Sequence, residues 1–386
     1  MNIKEKDQNY IMSTYGRLDV ALVSGKGSTL QDSDGKEYID FGSGIAVNTF
    51  GACDQEWVQA VTEQLNTIQH TSNYYYTKPC SDLAELLCTK TGMSKVFFSN
   101  SGAEANECAI KAARKYGTDK NPEKNIIITL KNSFHGRTIT TLSATGQDVF
   151  HNHFTPFTEG FVYAEANNIE DLKKLANPNC CAIMFELIQG EGGVLPLTQE
   201  YVDAIKEIAA ENDMLIVVDE VQTGNGRTGK LYAHQHYGIH PDIFSTAKGL
   251  AGGLPIGATV FCEKLANILP AGSHGSTFGG NPIAAAGAVN VLSRLDNEFL
   301  KTVEENSAYL WTNLKEIKGV KSVCGLGYMI GIETEADAKE ILKKCLDNGL
   351  LVLTAKDKVR LLPPLNITKE ELDKGIAILK SVIESL

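Results

Sequence analysis

The chain has 386 residues, of which 43% are hydrophobic and 22% are charged, which is ordinary for a soluble globular protein and sufficient for two or three domains. Its formal net charge of −11 argues against nucleic acid or an acidic membrane surface as the main partner, although small anionic ligands need only local positive charge. No run approaches the roughly 18 apolar residues of a membrane span, and the polar first residues lack the apolar core of a signal peptide.

The first part of the chain predicts short strands and two helices. Turns flank strands within residues 1–50, and the second strand is expected over 37–41. The first helix should carry one apolar stripe, formed by Trp57, Val61, Leu65 and Ile68. Asp82 is expected to cap the second helix, which turns Leu83 and Leu87 inward.

From Lys95 onward, short apolar strands alternate with amphipathic helices. The strands are expected at 96–98, 126–128, 182–185, 215–218, 243–244 and 256–261. This alternation predicts an α/β fold in which helices cover both faces of a mostly parallel sheet. Ligands bind beyond the carboxyl ends of the strands in such sheets, so the residues that follow each strand are the candidates for a site.

The texture changes again after about residue 280. We expect helices at 283–295 and 310–317 and a strand-like stretch at 320–332. A final helix should begin at the capping box Thr368-x-x-Glu371. The predicted division has a large domain over 51–280 and a smaller α/β domain over 281–386. Residues 1–50 are expected to join the smaller domain.

Lys248 stands at the exit of an apolar run that is long enough for a buried strand. Lysine is rarely found inside a fold. A partly desolvated amine loses its proton more easily and can attack a carbonyl to form a Schiff base. A surface lysine that caps a strand is the alternative, and this stretch alone does not decide between the two.

Two other strand exits carry residues that suit anions. Ser101 and Glu104 predict a capping box at the start of a helix whose free N–H groups suit a phosphate, although a merely well-capped helix is equally consistent. In the loop 133–138, Phe134 could stack on a flat ligand and Arg137 could clamp a carboxylate. An ordinary surface loop is the alternative there.

Carboxylates follow two further strands. Glu186, Gln189 and Glu191 lie at a glycine-rich exit and are poor core material, which favours a site. Asp219 ends an apolar run, where a carboxylate is costly unless a cation pairs with it. The segment 275–282 adds hydroxyls and flexible backbone just before a helix.

Three patterns argue against other kinds of site. Gly224-x-Gly226-x-x-Gly229 matches a dinucleotide fingerprint, but Arg227 and Thr228 interrupt it and no clear helix opens there. Nine cysteines without a C-x-x-C pair predict reduced thiols in a cytoplasmic protein. The histidines with metal-like spacing lack acidic or thiol partners at a supporting interval, so no metal is expected, and they are His151, His153, His234, His236 and His240.

Five motifs in chain order resemble those of the class III pyridoxal-phosphate (PLP) aminotransferases of fold type I, particularly the acetylornithine aminotransferases. They are Ser-Gly-Ala-Glu-Ala-Asn-Glu at 101–107, Phe-His-Gly-Arg-Thr at 134–138, Asp-Glu-Val-Gln-Thr-Gly at 219–224, Thr-Ala-Lys-Gly at 246–249 and Ser-Thr-Phe-Gly-Gly-Asn-Pro at 276–282. The resemblance spans the chain from Gly25 to Pro364. Two departures concern specificity more than mechanism: residues 51–54 replace the usual Gly-His-x-His-Pro, and Leu187 stands where proline is common.

The resemblance implies a PLP cofactor. Lys248 would bind it covalently and later move a proton between substrate and cofactor, while Asp219 would keep the ring nitrogen protonated. Phe134 would stack on the ring. Thr277 would reach the phosphate of the second subunit's site, so a homodimer is expected. The other cofactor-binding residues implied by the resemblance are Gly102, Ala103, Glu220, Val221 and Gln222, the last near the phenolic oxygen.

The resemblance also implies two binding sites for substrate carboxylates. Arg137, with Ser276 nearby, would bind the carboxylate of an acylated amino donor. Arg360 would bind the α-carboxylate of 2-oxoglutarate or glutamate, and Glu191 would pair with Arg360 when the donor is present. Tyr15 aligns with a substrate-side tyrosine of the related ornithine enzymes.

The expected activity is therefore transamination of N2-acetylornithine with 2-oxoglutarate, giving N-acetylglutamate 5-semialdehyde and glutamate in arginine biosynthesis. Ornithine, succinylornithine, succinyl-diaminopimelate and 4-aminobutyrate remain alternative amino donors, because one group in a pocket changes affinity by only about 1–3 kcal/mol. An NAD-dependent dehydrogenase built on the glycine triplet and a non-catalytic binding module are the alternatives from other classes.

Overall fold

The computed structural model describes residues 1–386. The helices are α1 (Ile3–Tyr10), α2 (Ser43–Ala46), α3 (Gln55–Leu65), α4 (Lys78–Thr91), α5 (Gly102–Thr118), α6 (Ile139–Ala144), α7 (Ile169–Leu175), α8 (Gln199–Glu211), α9 (Pro282–Arg294), α10 (Asn297–Lys315), α11 (Ala338–Asp347) and α12 (Lys369–Glu384). The strands are β1 (Leu22–Lys26), β2 (Thr29–Asp32), β3 (Glu37–Asp40), β4 (Lys95–Ser99), β5 (Ile126–Leu130), β6 (Phe161–Ala164), β7 (Cys180–Phe185), β8 (Ile188–Gln189), β9 (Leu195–Pro196), β10 (Leu215–Asp219), β11 (Ile243–Thr246), β12 (Gly257–Phe261), β13 (Val320–Leu326), β14 (Met329–Thr334), β15 (Leu350–Leu351), β16 (Leu353–Ala355) and β17 (Lys358–Leu361).

A seven-stranded sheet with the order β4-β12-β11-β10-β7-β5-β6 forms the centre of the molecule. The pairs β11–β10, β10–β7, β7–β5 and β5–β6 are parallel, and β12 alone runs antiparallel to both of its neighbours. The α/β fold with a mostly parallel sheet is confirmed. The carboxyl ends of the parallel strands therefore share one edge of the sheet.

Helices cover both faces of this sheet because its strands are apolar on both sides. Alternate residues of one strand belong to different apolar clusters: Ile183 and Phe185 pack in the cluster that contains α8, whereas Ala182 and Met184 pack in the cluster that contains α5. All six residues of β7 are buried. Small side chains on the inner face of α5 allow that helix to lie close to the sheet.

The C-terminal part of the chain builds a second group of sheets. The strands β13-β14-β17-β16 form one sheet, and β1-β2-β3-β15 form another. In the latter, β3 pairs in parallel with β15 through Ile39 and Leu350, so the first residues of the chain share a sheet with the C-terminal part. The domain boundaries at 50 and 280 stay a prediction.

Several expected elements differ in the structure. Asp82 does not cap α4, because that helix already begins at Lys78 after Thr77 and has a proline in its first turn. The stripe on α3 is also only partly buried: the helix ends at Leu65, and both Leu65 and Ile68 are exposed. The helix expected at 310–317 is longer and begins at Asn297, and the stretch 320–332 forms an antiparallel hairpin.

Three further features of the chain concern membranes, thiols and metals. None of the helices is both long enough and apolar enough to cross a membrane. All nine cysteines are unpaired. No group of three or more histidine, cysteine, aspartate or glutamate side chains is arranged to hold a metal ion.

Candidate functional site

A cavity of ≈ 410 Å³ lies at the carboxyl edge of the large sheet. Its volume falls in the range of small-molecule sites. Five strand exits contribute to its lining, and they are residues 100–103 after β4, 134–137 after β5, Glu186 after β7, Asp219, Val221 and Gln222 at the end of β10 and 247–248 after β11. The topology thus brings together segments that lie far apart in the sequence.

Lys248 is part of this lining. The preceding strand β11 is buried throughout, whereas the side chain of Lys248 is half-buried and opens into the cavity. Its φ of 45° lies in the left-handed region, a strained conformation of the kind that clusters at functional sites. Burial lowers the pKa of its ammonium group, although the carboxylates of Glu191 and Asp219 act in the opposite direction.

The carboxylate of Asp219 is buried among hydrogen-bond donors. Its Oδ2 accepts a hydrogen bond from Asn106 Nδ2 at 2.8 Å and lies 2.8 Å from His135 Nδ1. Its Oδ1 accepts from the Val221 N–H at 3.0 Å. No lysine or arginine forms an ion pair with it, so the carboxylate is held in place while its charge remains available to a bound cation.

A second buried carboxylate lies beneath the Phe134 loop. Glu186 Oε2 accepts from the Phe134 N–H at 2.9 Å, and Oε1 accepts from the Gly190 N–H at 3.3 Å. Burial, together with the nearby charge of Asp219, raises the pKa of Glu186 to about 7, and His135 acts in the opposite direction. Glu186 therefore positions the loop that carries Phe134 and Arg137.

The start of α5 provides an anion site on the same cavity. Half of the expected capping box forms, because Ser101 Oγ accepts from the Glu104 N–H at 3.2 Å. The Glu104 carboxylate accepts from the N–H of Asn100 instead of that of Ser101. The N–H groups of Gly102 and Ala103 have no partner within the chain and lie at the cavity. A Cβ at Gly102 would lie 2.7 Å from Val221 Cγ1, so glycine is required for this close approach.

Arg360 and Glu191 do not line the cavity themselves, and Arg360 is buried beside it through its contact with the lining residue Gln222. Its Nη1 donates to Glu191 Oε1 at 2.6 Å, to Gln222 Oε1 at 3.2 Å and to the Gly190 carbonyl at 3.3 Å. Gln222 Nε2 in turn donates to Glu191 Oε1 at 3.3 Å. Burial raises the pKa of Glu191, but Arg360 outweighs burial and the net direction is downward. Arg360 Nε is buried without a partner.

Arg137 is a different kind of arginine. It is exposed and no carboxylate lies within ion-pair distance of it. Its guanidinium carbon lies 4.3 Å from the ring centroid of Phe150 and 5.4 Å from that of Phe134. The two rings hold the cation without neutralising it, which leaves its N–H groups free for a carboxylate.

Two predicted site residues lie at or beyond the rim of the cavity. Ser276 Oγ accepts from Asn100 Nδ2 at 3.1 Å, and Asn100 itself lines the cavity. Thr277 is exposed and lines a separate cavity of ≈ 140 Å³ together with residues of the segment 70–77. The structure does not bring Thr277 to the cavity of its own chain.

Two others lie away from the cavity. Tyr15 is 72% exposed on the N-terminal segment, where its ring lies 5.5 Å from the guanidinium carbon of Arg17. Glu220 is fully buried, but its Oε1 accepts from the His234 N–H at 2.8 Å and its Oε2 accepts from the Ala233 N–H at 3.0 Å. In this chain Glu220 therefore stabilises the turn at residues 233–234 and does not line the cavity.

The structure adds three residues that the sequence reasoning did not assign. Asn106 and His135 position Asp219, and Phe150 contacts Arg137. Asn106 had a detectable signal, because it interrupts a stripe of small apolar residues on a helix that the sequence predicted. Phe150 had none, since nothing in the sequence indicates which ring folds back onto Arg137.

The glycine triplet has a structural use instead of a ligand. A Cβ at Gly226 would lie 2.9 Å from Leu365, and one at Gly229 would lie 2.5 Å from Glu304. These glycines thus allow the segment after the site to pack closely against α10 and the C-terminal part. No helix begins at this triplet, so it lacks the helix N-terminus that binds a dinucleotide pyrophosphate.

A lysine and a buried carboxylate at the strand exits of a mostly parallel sheet define the class of a PLP-dependent transferase of fold type I. A profile described as "Aminotransferase class-III" matches residues 10–383, and the chain belongs to that family of PLP-dependent enzymes. The chain is 48% identical to the acetylornithine aminotransferase of Haemophilus ducreyi over 388 residues, which cover 100% of this chain and 99% of the relative. It is 47% identical to that of Caldanaerobacter subterraneus subsp. tengcongensis, with 98% of both chains covered.

Solved structures of aminotransferases are also similar to this chain over almost its whole length. The ornithine aminotransferase of Toxoplasma gondii has a TM-score of 0.94 and 31% identity, covering 99% of this chain and 94% of that one. The N-acetylornithine aminotransferase of Stenotrophomonas maltophilia has a TM-score of 0.86 and 35% identity, covering 99% of this chain and 98% of that one.

The residues of the cavity fit PLP. The unpartnered N–H groups of Gly102 and Ala103 suit its phosphate, and the carboxylate of Asp219, which no lysine or arginine pairs with, suits a protonated ring nitrogen. Phe134 and Val221 both line the cavity and could cover the ring. Lys248 supplies the amine.

Proposed function

We propose that the enzyme transfers the δ-amino group of N2-acetylornithine to 2-oxoglutarate, giving N-acetylglutamate 5-semialdehyde and glutamate in arginine biosynthesis. One observation carries the proposal: a single reactive lysine shares its site with two arginines, of which one is free and the other is masked by a glutamate. A transaminase that accepts an acylated amino acid and a dicarboxylate in turn needs such a pair. The names of the relatives that are 42–48% identical support the same substrate.

The chemistry divides between cofactor and protein. Bound PLP supplies a carbonyl group for the substrate amine and a ring that withdraws electrons from the neighbouring carbon. Lys248 Nζ would hold the cofactor and, once the substrate has displaced it, would take a proton from the substrate carbon that carries the amino group and deliver it to the cofactor's carbonyl carbon. Asp219 would keep a proton on the ring nitrogen, with Asn106 and His135 fixing its orientation.

The two arginines would serve the two half-reactions. Arg137, with Ser276 at the rim, would bind the α-carboxylate of the acylated donor. Arg360 would bind a carboxylate of glutamate or 2-oxoglutarate after Glu191 has moved away, and its unpartnered Nε is ready for such a ligand. Glu191 would mask Arg360 while the donor is bound, because the δ-amino end of the donor has no carboxylate to offer.

We infer a homodimer with shared sites and a cytoplasmic location. Tyr74, Tyr75, Tyr76 and Phe278 are exposed large side chains next to Thr277, which suggests a surface that a second copy covers. Thr277 would then complete the site of the second copy. The unpaired cysteines support a reducing compartment.

The substrate is tested by comparing kcat/KM for N2-acetylornithine, N2-succinylornithine and ornithine, each with 2-oxoglutarate. We expect the acylated donors to be preferred over ornithine. The absorbance of the bound cofactor should also change on adding acetylornithine without keto acid. A clear preference for unacylated ornithine, or for 4-aminobutyrate, would refute the assigned substrate while leaving the family intact.

The shared site is tested by mixing two inactive variants. A heterodimer of Lys248→Ala and Thr277→Ala chains has one site with both substitutions and one site with neither. Mixed dimers should therefore regain activity that neither homodimer has. A chain that stays monomeric in sedimentation, or a Thr277→Ala variant with full activity, argues against the shared site.

A further inference from the structure

Gln222 connects the two charged members of the cluster at Arg360. The cluster consists of Glu191, Gln222 and Arg360, and we refer to it as the Arg360 cluster. The Gln222 amide uses both of its ends, because Oε1 accepts from Arg360 Nη1 at 3.2 Å while Nε2 donates to Glu191 Oε1 at 3.3 Å. This assignment of the amide is the only one that pairs donors with acceptors.

The position of the Gln222 amide is fixed by its surroundings. The side chain is 6% exposed. A Cβ at Gly190 would lie 2.4 Å from Gln222 Oε1 and 2.6 Å from its Nε2, so the absence of a side chain at Gly190 makes room for the amide. The residue is therefore an ordered part of the cluster, and it also lines the cavity that contains Lys248.

The two hydrogen bonds of Gln222 respond differently when the cluster opens. If Glu191 moves away to admit a substrate carboxylate, the bond from Nε2 to Glu191 is broken. The bond from Arg360 to Oε1 can persist, so Arg360 does not become a buried cation without any partner. Gln222 thus stabilises the closed state through one extra bond to a charged group.

We propose that Gln222 is a specificity-determining residue, whose amide favours the pairing of Glu191 with Arg360 and so sets the balance between the acylated donor and the dicarboxylate. The inference deepens the proposed function and rests on it, since the balance matters only if a dicarboxylate is one of two alternating substrates. Gln222 acts here through Glu191 and Arg360.

The test removes both hydrogen bonds with a side chain of similar shape. In the holoenzyme of Gln222→Met, the ratio of kcat/KM for glutamate to kcat/KM for acetylornithine, each measured in its half-reaction, should rise roughly 3- to 10-fold. Using a ratio cancels any loss common to both half-reactions, including a loss through contact with the cofactor. Gly190→Ala should raise the ratio in the same direction, because it displaces the amide without removing it.

A binding measurement provides a readout that does not depend on turnover. Glutarate is a dicarboxylate with neither an amino nor a keto group, so it occupies the site without reacting. Its affinity for the holoenzyme, measured by calorimetry, should be higher in Gln222→Met than in the unchanged enzyme. A general weakening of the site would lower this affinity instead.

A double-mutant cycle with Glu191→Ala decides the mechanism. Without Glu191, the Nε2 of Gln222 has no anion to hold, so Gln222→Met should no longer change the ratio. If the ratio changes equally with and without Glu191, or does not change in Gln222→Met at all, the proposal is wrong. If the unchanged enzyme has no glutamate half-reaction, the proposed function has failed instead, and the two failures are distinguishable.

Discussion

Arg137 and Arg360 lie at the same site, yet the chain treats them in opposite ways. Arg360 is buried, and Glu191, Gln222 and a carbonyl group occupy its Nη1. Arg137 is exposed and has only two aromatic rings beside it. One cation is paired with a carboxylate, and the other is held in place without a counter-charge.

Under the proposed function, this difference corresponds to two ways of binding a carboxylate. A buried guanidinium is costly without an anion, so its site must contain a substitute for the substrate. A guanidinium that is stacked on rings and open to water needs no substitute and is ready at all times. An enzyme that alternates between two substrates can therefore keep one binding site permanently open and close the other.

The largest expected effect comes from Lys248→Ala, which tests whether both arginines serve one reacting centre. We expect both half-reactions to fall by roughly 10²–10⁴-fold or more, because the residue that moves the proton is gone. Stopped-flow absorbance with each amino substrate measures this. Lys124 is a buried lysine outside the site that donates to the Asn212 carbonyl, so Lys124→Met is the matched control. If either half-reaction survived in Lys248→Ala, the two arginines would not serve one reacting centre.

The next effect distinguishes the arginines from each other. Arg137→Gln should lower kcat/KM for acetylornithine by roughly 10²-fold and affect glutamate less, because it removes charge-assisted hydrogen bonds to the donor alone. Arg360→Gln should do the reverse. Each variant is the control for the other, and the measurement is kcat/KM in separate half-reactions. Equal losses for both substrates in both variants would show that Arg137 and Arg360 do not have separate substrates.

Sequence reasoning reached the large sheet and most of the cavity, because both depend on local patterns. Lys248 and Asp219 were candidates because each ends an apolar run, and the resemblance then implied their roles. The fold brings such strand ends to one edge. The resemblance implied the pairing of Glu191 with Arg360, which the structure contains. The contacts of Phe150 with Arg137 and of Gln222 with Arg360 were not predicted, since they join distant segments. The capping assignment of Asp82 was wrong because a proline in the first turn gave an earlier start to α4.

The third prediction concerns Glu186, whose carboxylate accepts from the N–H groups of Phe134 and Gly190. Burial raises its pKa from 4.5 to about 7, so the folded state binds this proton more tightly than the unfolded chain does. Its contribution to stability is thus complete below about pH 4.5 and is lost as the pH rises through about 7. Glutamine does not titrate, so in the cofactor-free protein the free energy of unfolding of Glu186→Gln should rise by roughly 3 kcal/mol relative to that of the unchanged chain as the pH increases from about 4.5 to above 7. Urea unfolding at several pH values measures this difference.

The control for Glu186 is Glu191, whose pKa is shifted downward by Arg360. A lowered pKa contributes stability above the unfolded value that is lost as the pH falls through the folded value, so Glu191→Gln should change the pH dependence in the opposite sense. If Glu186→Gln unfolds with the same pH dependence as the unchanged chain, Glu186 is not buried as described.

The smallest expected effect tests why Arg137 can remain without a counter-charge. Phe150→Leu removes the ring that lies 4.3 Å from the guanidinium carbon and keeps an apolar side chain. A cation–π contact at an exposed site contributes about 0.5–1 kcal/mol, so KM for acetylornithine should rise about two- to fivefold, with little change in kcat. The glutamate half-reaction should be unaffected, because Arg360 does not depend on this ring.

Two variants show whether the effect belongs to the ring. Phe150→Tyr keeps an aromatic face and should retain the KM of the unchanged enzyme, whereas Val149→Ala changes an exposed neighbour and should have no effect. If Phe150→Leu raised KM for glutamate as well, the loop would have a general structural role and the ring would not be specific to Arg137. If tyrosine failed to substitute, packing of the side chain and not its π face would hold the arginine. Either result would remove the aromatic rings as the reason that one arginine of this site stays free while the other requires Glu191.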